Sequence, residues 1–203
     1  CENAKFQKYA QLHEDSIHKT FSIIINIPLL TPELWAISKL PIPMAGLGLS
    51  CGPLNADISF WSISSQNFES DPSDQRTSLA LTNLRQSPKM DQLIFKIQTG
   101  SSQRKLQKRL SLIAHEDNFN NILASSDLTQ QRKIFDNCHD TSTLSNLGTS
   151  HKGTIPDPIF LAIVRDRIQL PISPQDNKCD ENTKYTVCGQ HLDNEGIHAV
   201  NCG

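Results

Sequence analysis

Aromatic residues are scarce in this chain, 6% of 203 positions, with only two Trp and two Tyr. The apolar share is 37%, below the roughly 45–50% of ordinary globular domains, and mean hydropathy is -0.38. A modest core joined by long polar connections follows from that balance. Long hydrophobic runs are missing too. The most apolar stretch, residues 21–30, is interrupted by Asn26 and Pro28, whereas a membrane-spanning helix needs roughly 20 apolar residues. No membrane partner is therefore expected. A surplus of one charge is also lacking: net charge is -2 and the isoelectric point is about 6.4. Global attraction to nucleic acid or anionic lipid is excluded, so any phosphate contact has to come from a local patch.

Catalytic signatures are absent as well. Gly46-Leu47-Gly48 has no third glycine in register and no Lys-Ser/Thr after it, so it does not cradle phosphate. His13-Glu14 and His115-Glu116 lack the second His of a zinc-protease helix. Cys138 and His139 are neighbours whose side chains diverge on a helix, so adjacency makes no nucleophile and base. No leader of the charged-then-apolar kind opens the chain, which begins at Cys1 and reads as a piece of something longer. The six cysteines do not form the framework of a small secreted domain, because three crowd the last 25 residues and the others are scattered. A reduced intracellular compartment, nucleus or cytoplasm, suits them better than secretion.

What is present is mostly helical texture. From Ala4 to Ile27 apolar residues recur at helical spacing, opposite a polar face, until Pro28. Thr31-Pro32-Glu33 has the form of an N-cap, a first-turn Pro and an early acid. The helix it launches ends before Pro41. Leu40-Pro41-Ile42-Pro43-Met44-Ala45-Gly46-Leu47-Gly48-Leu49 suits a tight apolar turn. A further helix with an aromatic stripe, Phe60 and Trp61, is expected from Pro53 to Phe68. Residues 69–100 read as a polar linker, within which Leu93 to Ile97 fits either a strand or a helical turn.

Ser101 to Leu110 opens a helix with Arg104, Lys105, Lys108 and Arg109 in six positions, a face able to contact phosphate or simply to meet solvent. Helical texture continues through Phe135. Pro156-Asp157-Pro158 starts a last helix that carries Arg165 and Arg167 near its carboxyl end, where the helix dipole favours cations. In the tail, Cys188, His198 and Cys202 are zinc-type ligands at close spacing. His198 and Cys202, four apart, share one face of a helical turn. Cys179 is the nearest thiol for a fourth ligand, with His191 as a second possibility.

Taken in order, three stretches resemble the region downstream of the polymerase palm in non-LTR retrotransposon-type reverse transcriptases. They are Trp35 with Leu40-Pro41 through Gly46-Leu47-Gly48-Leu49, Pro156-Asp157-Pro158 through Arg165, Arg167, Leu170 and Pro171, and the Cys188-Gly189, His198, Cys202 tail. The tail is similar to that family's Cys/His knuckle, with nine and three residues in its gaps. Ala45 stands where the family has the first of two glycines, Gln169 where a Gly is usual, and Thr186 or Tyr185 where the knuckle's first Cys belongs.

The resemblance implies a mainly α chain, a helical thumb-like bundle followed by a small zinc-knuckle-like tail. Its expected parts are a thumb-like region 1–68, a polar linker 69–100, a helical linker region 101–172 and a Cys/His tail 173–203. It implies template or primer nucleic acid as partner and a zinc in the knuckle; the chain's own residues offer Cys188, His198, Cys202 and, as nearest thiol, Cys179 for that zinc, and Arg104, Lys105, Lys108, Arg109, Arg165 and Arg167 for the phosphates. It also implies a non-catalytic role. The family's Tyr-x-Asp-Asp motif is missing and no two Asp are adjacent, while two-metal nucleotidyl transfer needs clustered carboxylates. Thr186 in the first-Cys position fits a decayed or partial copy of the element. The alternative expectation is a helical protein-interaction module without a nucleic-acid role.

Overall fold

The computed structural model describes residues 2–49, 52–65, 75–100, 103–139 and 157–170. Among these the chain is mainly α-helical, with no strand. It divides into two compact units, one of residues 1–41 with 48–125, the other of residues 42–47 with 126–203.

The first unit opens with α1, Glu2–Ile24. The helix stops where Asn26 turns left-handed (φ 56). There the Asn26 and Ile27 amides bond back to the Ile23 and Ser22 carbonyls, and Asn tolerates that backbone better than a branched residue does. Thr31 then caps α2, Pro32–Lys39, its hydroxyl accepting from the Leu34 amide. Glu33, in the first turn, is held below the usual carboxylate range by hydrogen bonds from its own backbone amide and from Thr31. Beyond Leu40 the return leg of the Leu-Pro…Gly-Leu-Gly-Leu stretch bonds back to this helix, Gly48 N to Leu40 O at 2.8 Å and Leu49 N to Ser38 O at 3.3 Å.

α3, Pro53–Ser64, begins behind Gly52, which offers no side-chain cap. It packs mainly against α4, Gln75–Leu84, and also against α1 and α6, Leu106–Ser125. α5, Pro88–Gln98, is capped by Ser87 and lies on α6. The core gathers Ile58 and Trp61 of α3, Ala80 and Leu84 of α4, four residues of α5 and Leu106 and Leu110 of α6. Each fully buried Leu or Ile among them contributes about 1.5–3 kcal/mol. Residues 75–98, within the expected polar linker, are thus two packed helices supplying six core residues, Ala80, Leu84, Met90, Leu93, Ile94 and Ile97. Leu93 to Ile97 is helix, not strand. α6 starts at Leu106 rather than near Ser101, because Lys105 is left-handed (φ 56) and cannot continue a helix backwards.

In the second unit a 3-10 turn, Ile42–Met44, packs on α7, Leu128–His139. Asp127 and Gln130 cap α7 reciprocally: Asp127 Oδ1 accepts from Gln130 N at 2.8 Å, and Gln130 Oε1 accepts from Asp127 N at 3.1 Å. α8, Asp157–Arg167, ends in a left-handed residue, Gln169 (φ 64). Its last carbonyls are satisfied by Gln169 N to Asp166 O at 2.9 Å and Leu170 N to Arg165 O at 2.7 Å. Ile134, Val164, Ile168 and Ala45 are buried here.

A candidate nucleic-acid interface and the cleft beside it

Leu106 and Leu110 point into the core, so the residues around them, on the first turn of α6 and just before it, face outward. Arg104, Lys105, Lys108 and Arg109 are all exposed there. No acidic residue occupies that turn. A helix amino terminus already carries about half a positive charge, so cations there oppose the dipole. Four exposed cations within six positions form a basic patch of the kind that contacts phosphate. The turn is fixed from the α3 side, where Gln103 Nε2 donates to Ser65 O at 2.9 Å and Gln107 Nε2 donates to Ser59 Oγ at 3.0 Å.

Arg165 and Arg167, expected to share this role, belong to the second unit. Arg165 is half-buried. Arg167 is only 4% exposed, and its guanidinium donates to the Gly46 carbonyl at 2.9 Å and to the Ile42 carbonyl. It ties α8 to the 42–47 loop and does not present its charge to a phosphate. Asn137 Nδ2 bonds the Arg167 carbonyl at 3.2 Å, bracing the same corner from α7. Burial pushes the neighbouring Cys138 thiol up, with Arg167 pulling it the other way, so that thiol is not poised as a nucleophile. Cys179, Cys188, His198 and Cys202 lie outside the described residues.

A second feature of the first unit is a cleft of about 800 Å³ between α1, α2, α3, the α4–α5 turn and α6. Glu14 and Lys39 mark one part of its wall. Glu14 Oε1 accepts from Lys39 Nζ at 2.7 Å and from the Trp35 indole at 3.0 Å, and Trp35 stacks on His18 with centroids 4.6 Å apart. The Glu14 carboxylate lies against Gly52, at the amino terminus of α3, where the missing side-chain cap leaves the dipole open to a negative charge.

Elsewhere on the wall stand Asn83 and Gln86 of the α4–α5 corner, Asn55 of α3, and His115, Asn118 and Asn121 of α6. Asn83 commits its Nδ2 to the buried Asp57, which also accepts from Gln7. Asp117 accepts from Ser87 Oγ at 2.6 Å and lies 3.5 Å from Lys89. Burial pushes His115 below the ordinary imidazole value of 6.5, keeping it neutral at pH 7. Of these residues sequence pattern drew out only His115, as half of a zinc-protease pair that lacks its second His. The available signal was Asn118, Asn120 and Asn121 inside a helix, since Asn is a poor helix former and three together need a reason.

No family model, curated protein or solved structure matches this chain. No described helix is long and apolar enough to cross a membrane.

Proposed function

We propose that this chain is a non-catalytic, carboxyl-side portion of a retroelement reverse transcriptase that contacts template or primer nucleic acid. The observation that carries the nucleic-acid part is the positive turn of α6, with Arg104, Lys105, Lys108 and Arg109 exposed at a helix amino terminus without an acid. The family part is supported by how two of its resembling stretches meet. Arg167 of the second closes on Gly46 and Ile42 of the first. It is supported again by Ala45 and Gln169, both left-handed at φ 64. These are the two described positions where this chain replaces a glycine of the resembled family, the residue such a backbone favours.

In this reading the parent protein is an RNA-directed DNA polymerase whose metal-holding acids lie in a part not included here. Cys188, His198 and Cys202, with Cys179 as fourth, would hold one structural zinc. Uptake of zinc by the full chain, lost on Cys188→Ser, checks that component, and no uptake at neutral pH removes it. The nucleic-acid component is tested by titrating a primer–template duplex with the chain at rising salt. Binding that weakens steeply with salt supports it.

A second reading, a helical protein-interaction module, is favoured by Ile23 and Ile24 at the end of α1 and Leu29 just beyond it, large apolar residues that are all exposed. Salt-insensitive capture of a protein partner, with no duplex binding, would make that reading the better one.

A further inference from the structure

We infer that the cleft beside the basic turn receives one unstacked base of a single strand whose phosphates the turn holds. The inference rests on the nucleic-acid reading above and adds a site to it. A cleft of about 800 Å³ is of small-ligand size. Its wall is chemically unlike a phosphate or cation site. Lys39, the cation on it, is already tied to Glu14 at 2.7 Å, and Asp117 is already held by Ser87 and Lys89. What remains is a mixture of donors and acceptors: the amides of Asn118 and Asn121 and a His115 that burial keeps neutral, each with both, and the acceptor oxygen of Asn83. Base edges present the same mixture, and Asn pairs with adenine through two bonds. Pro53, Leu54 and Pro88 add apolar surface for the faces of a planar ring.

The placement on α6 completes the case. Lys108 and His115 are seven residues apart, two turns along one side of the helix, or about 10 Å. A strand with its phosphate at Lys108 therefore reaches the cleft within a nucleotide or two.

The test uses the full chain at low salt, with a short single-stranded oligodeoxyadenylate and the same backbone made abasic, followed by fluorescence anisotropy. The base-bearing strand is expected to bind about tenfold tighter. Asn118→Ala with Asn121→Ala should remove that difference while leaving the salt dependence unchanged, and Ala suits a helix better than Asn, so folding is not at stake. Equal affinity for the two strands overturns the base site but leaves phosphate binding intact. So does a difference that survives the double substitution. Failure to bind either strand overturns the nucleic-acid reading itself.

Discussion

Arg167 Nε donates to the Gly46 carbonyl at 2.9 Å across 121 residues of sequence. The same guanidinium reaches Ile42 O, so one side chain closes the 42–47 loop onto the end of α8. A planar fork suits two carbonyls; an ammonium does not. Arg167→Lys is expected to destabilise this unit, and Arg167→Ala to cost about 2–4 kcal/mol, because buried charge-assisted bonds are lost and carbonyls are left bare. Urea unfolding of the full chain, followed by α-helical circular dichroism, checks the order: wild type above Lys above Ala.

Gln169 and Ala45 share a left-handed backbone, but glycine should not help them equally. Relief of the left-handed strain is worth about 1–2 kcal/mol at each. Gln169 is half-buried and its amide bonds Gln130 O only at 3.3 Å, so Gln169→Gly is expected to raise stability by about 1 kcal/mol. Ala45 is completely buried, and losing its methyl costs about 0.8 kcal/mol. Ala45→Gly should be close to neutral. Midpoints of thermal unfolding distinguish the two.

Of Gly48, Gly52 and Gly100 in the first unit, Gly52 is the one with a neighbour where a side chain would sit. A Cβ there would overlap Glu14 Oε2, and the backbone (φ 105) suits glycine. Glu14 cannot simply move aside, because its other oxygen holds Trp35 and Lys39. Gly52→Ala is therefore expected to cost more than about 3 kcal/mol. Glu14→Ala should cost about 2–3 kcal/mol by leaving the indole N–H and the ammonium without their acceptor. A red shift in tryptophan emission should accompany both.

His115 gives the first unit a pH dependence of known sign. Burial lowers its folded value below 6.5, so the unfolded chain takes up the proton first. The stability this neutral ring contributes is fully present above 6.5 and is lost as pH falls through the folded value. His115→Asn should flatten that part of the stability–pH curve. An unchanged slope between wild type and variant would show that His115 does not carry the dependence.

Much of the helical order was legible in the sequence because local signals agree with the fold. Thr31-Pro32-Glu33 starts α2, Pro53 starts α3, and the apolar spacing from Phe6 to Ile24 marks α1. The stretch 69–100 misleads because α4 and α5 are short and polar on most sides. Ala80, Leu84 and Ile94 share one core with Trp61 and Leu110, residues distant in sequence, which local pattern does not reveal. Arg167 looked like a helix-end cation available to phosphate, and its burial depends on a loop 121 residues away. The cleft was illegible for the same reason, being assembled from several separate elements. The basic turn was plain as a run of charge; its left-handed Lys105 and late helix start were not.

The most direct measurement is the slope of log affinity against log salt for a single-stranded oligonucleotide, in wild type and in a variant with Arg104, Lys105, Lys108 and Arg109 all changed to Ala. Phosphate contacts by these four cations predict a slope of magnitude up to about 3, at roughly 0.7 per contact. The variant should lose most of that slope and most of its affinity. A slope near zero in wild type, or one the four substitutions leave intact, would contradict the account.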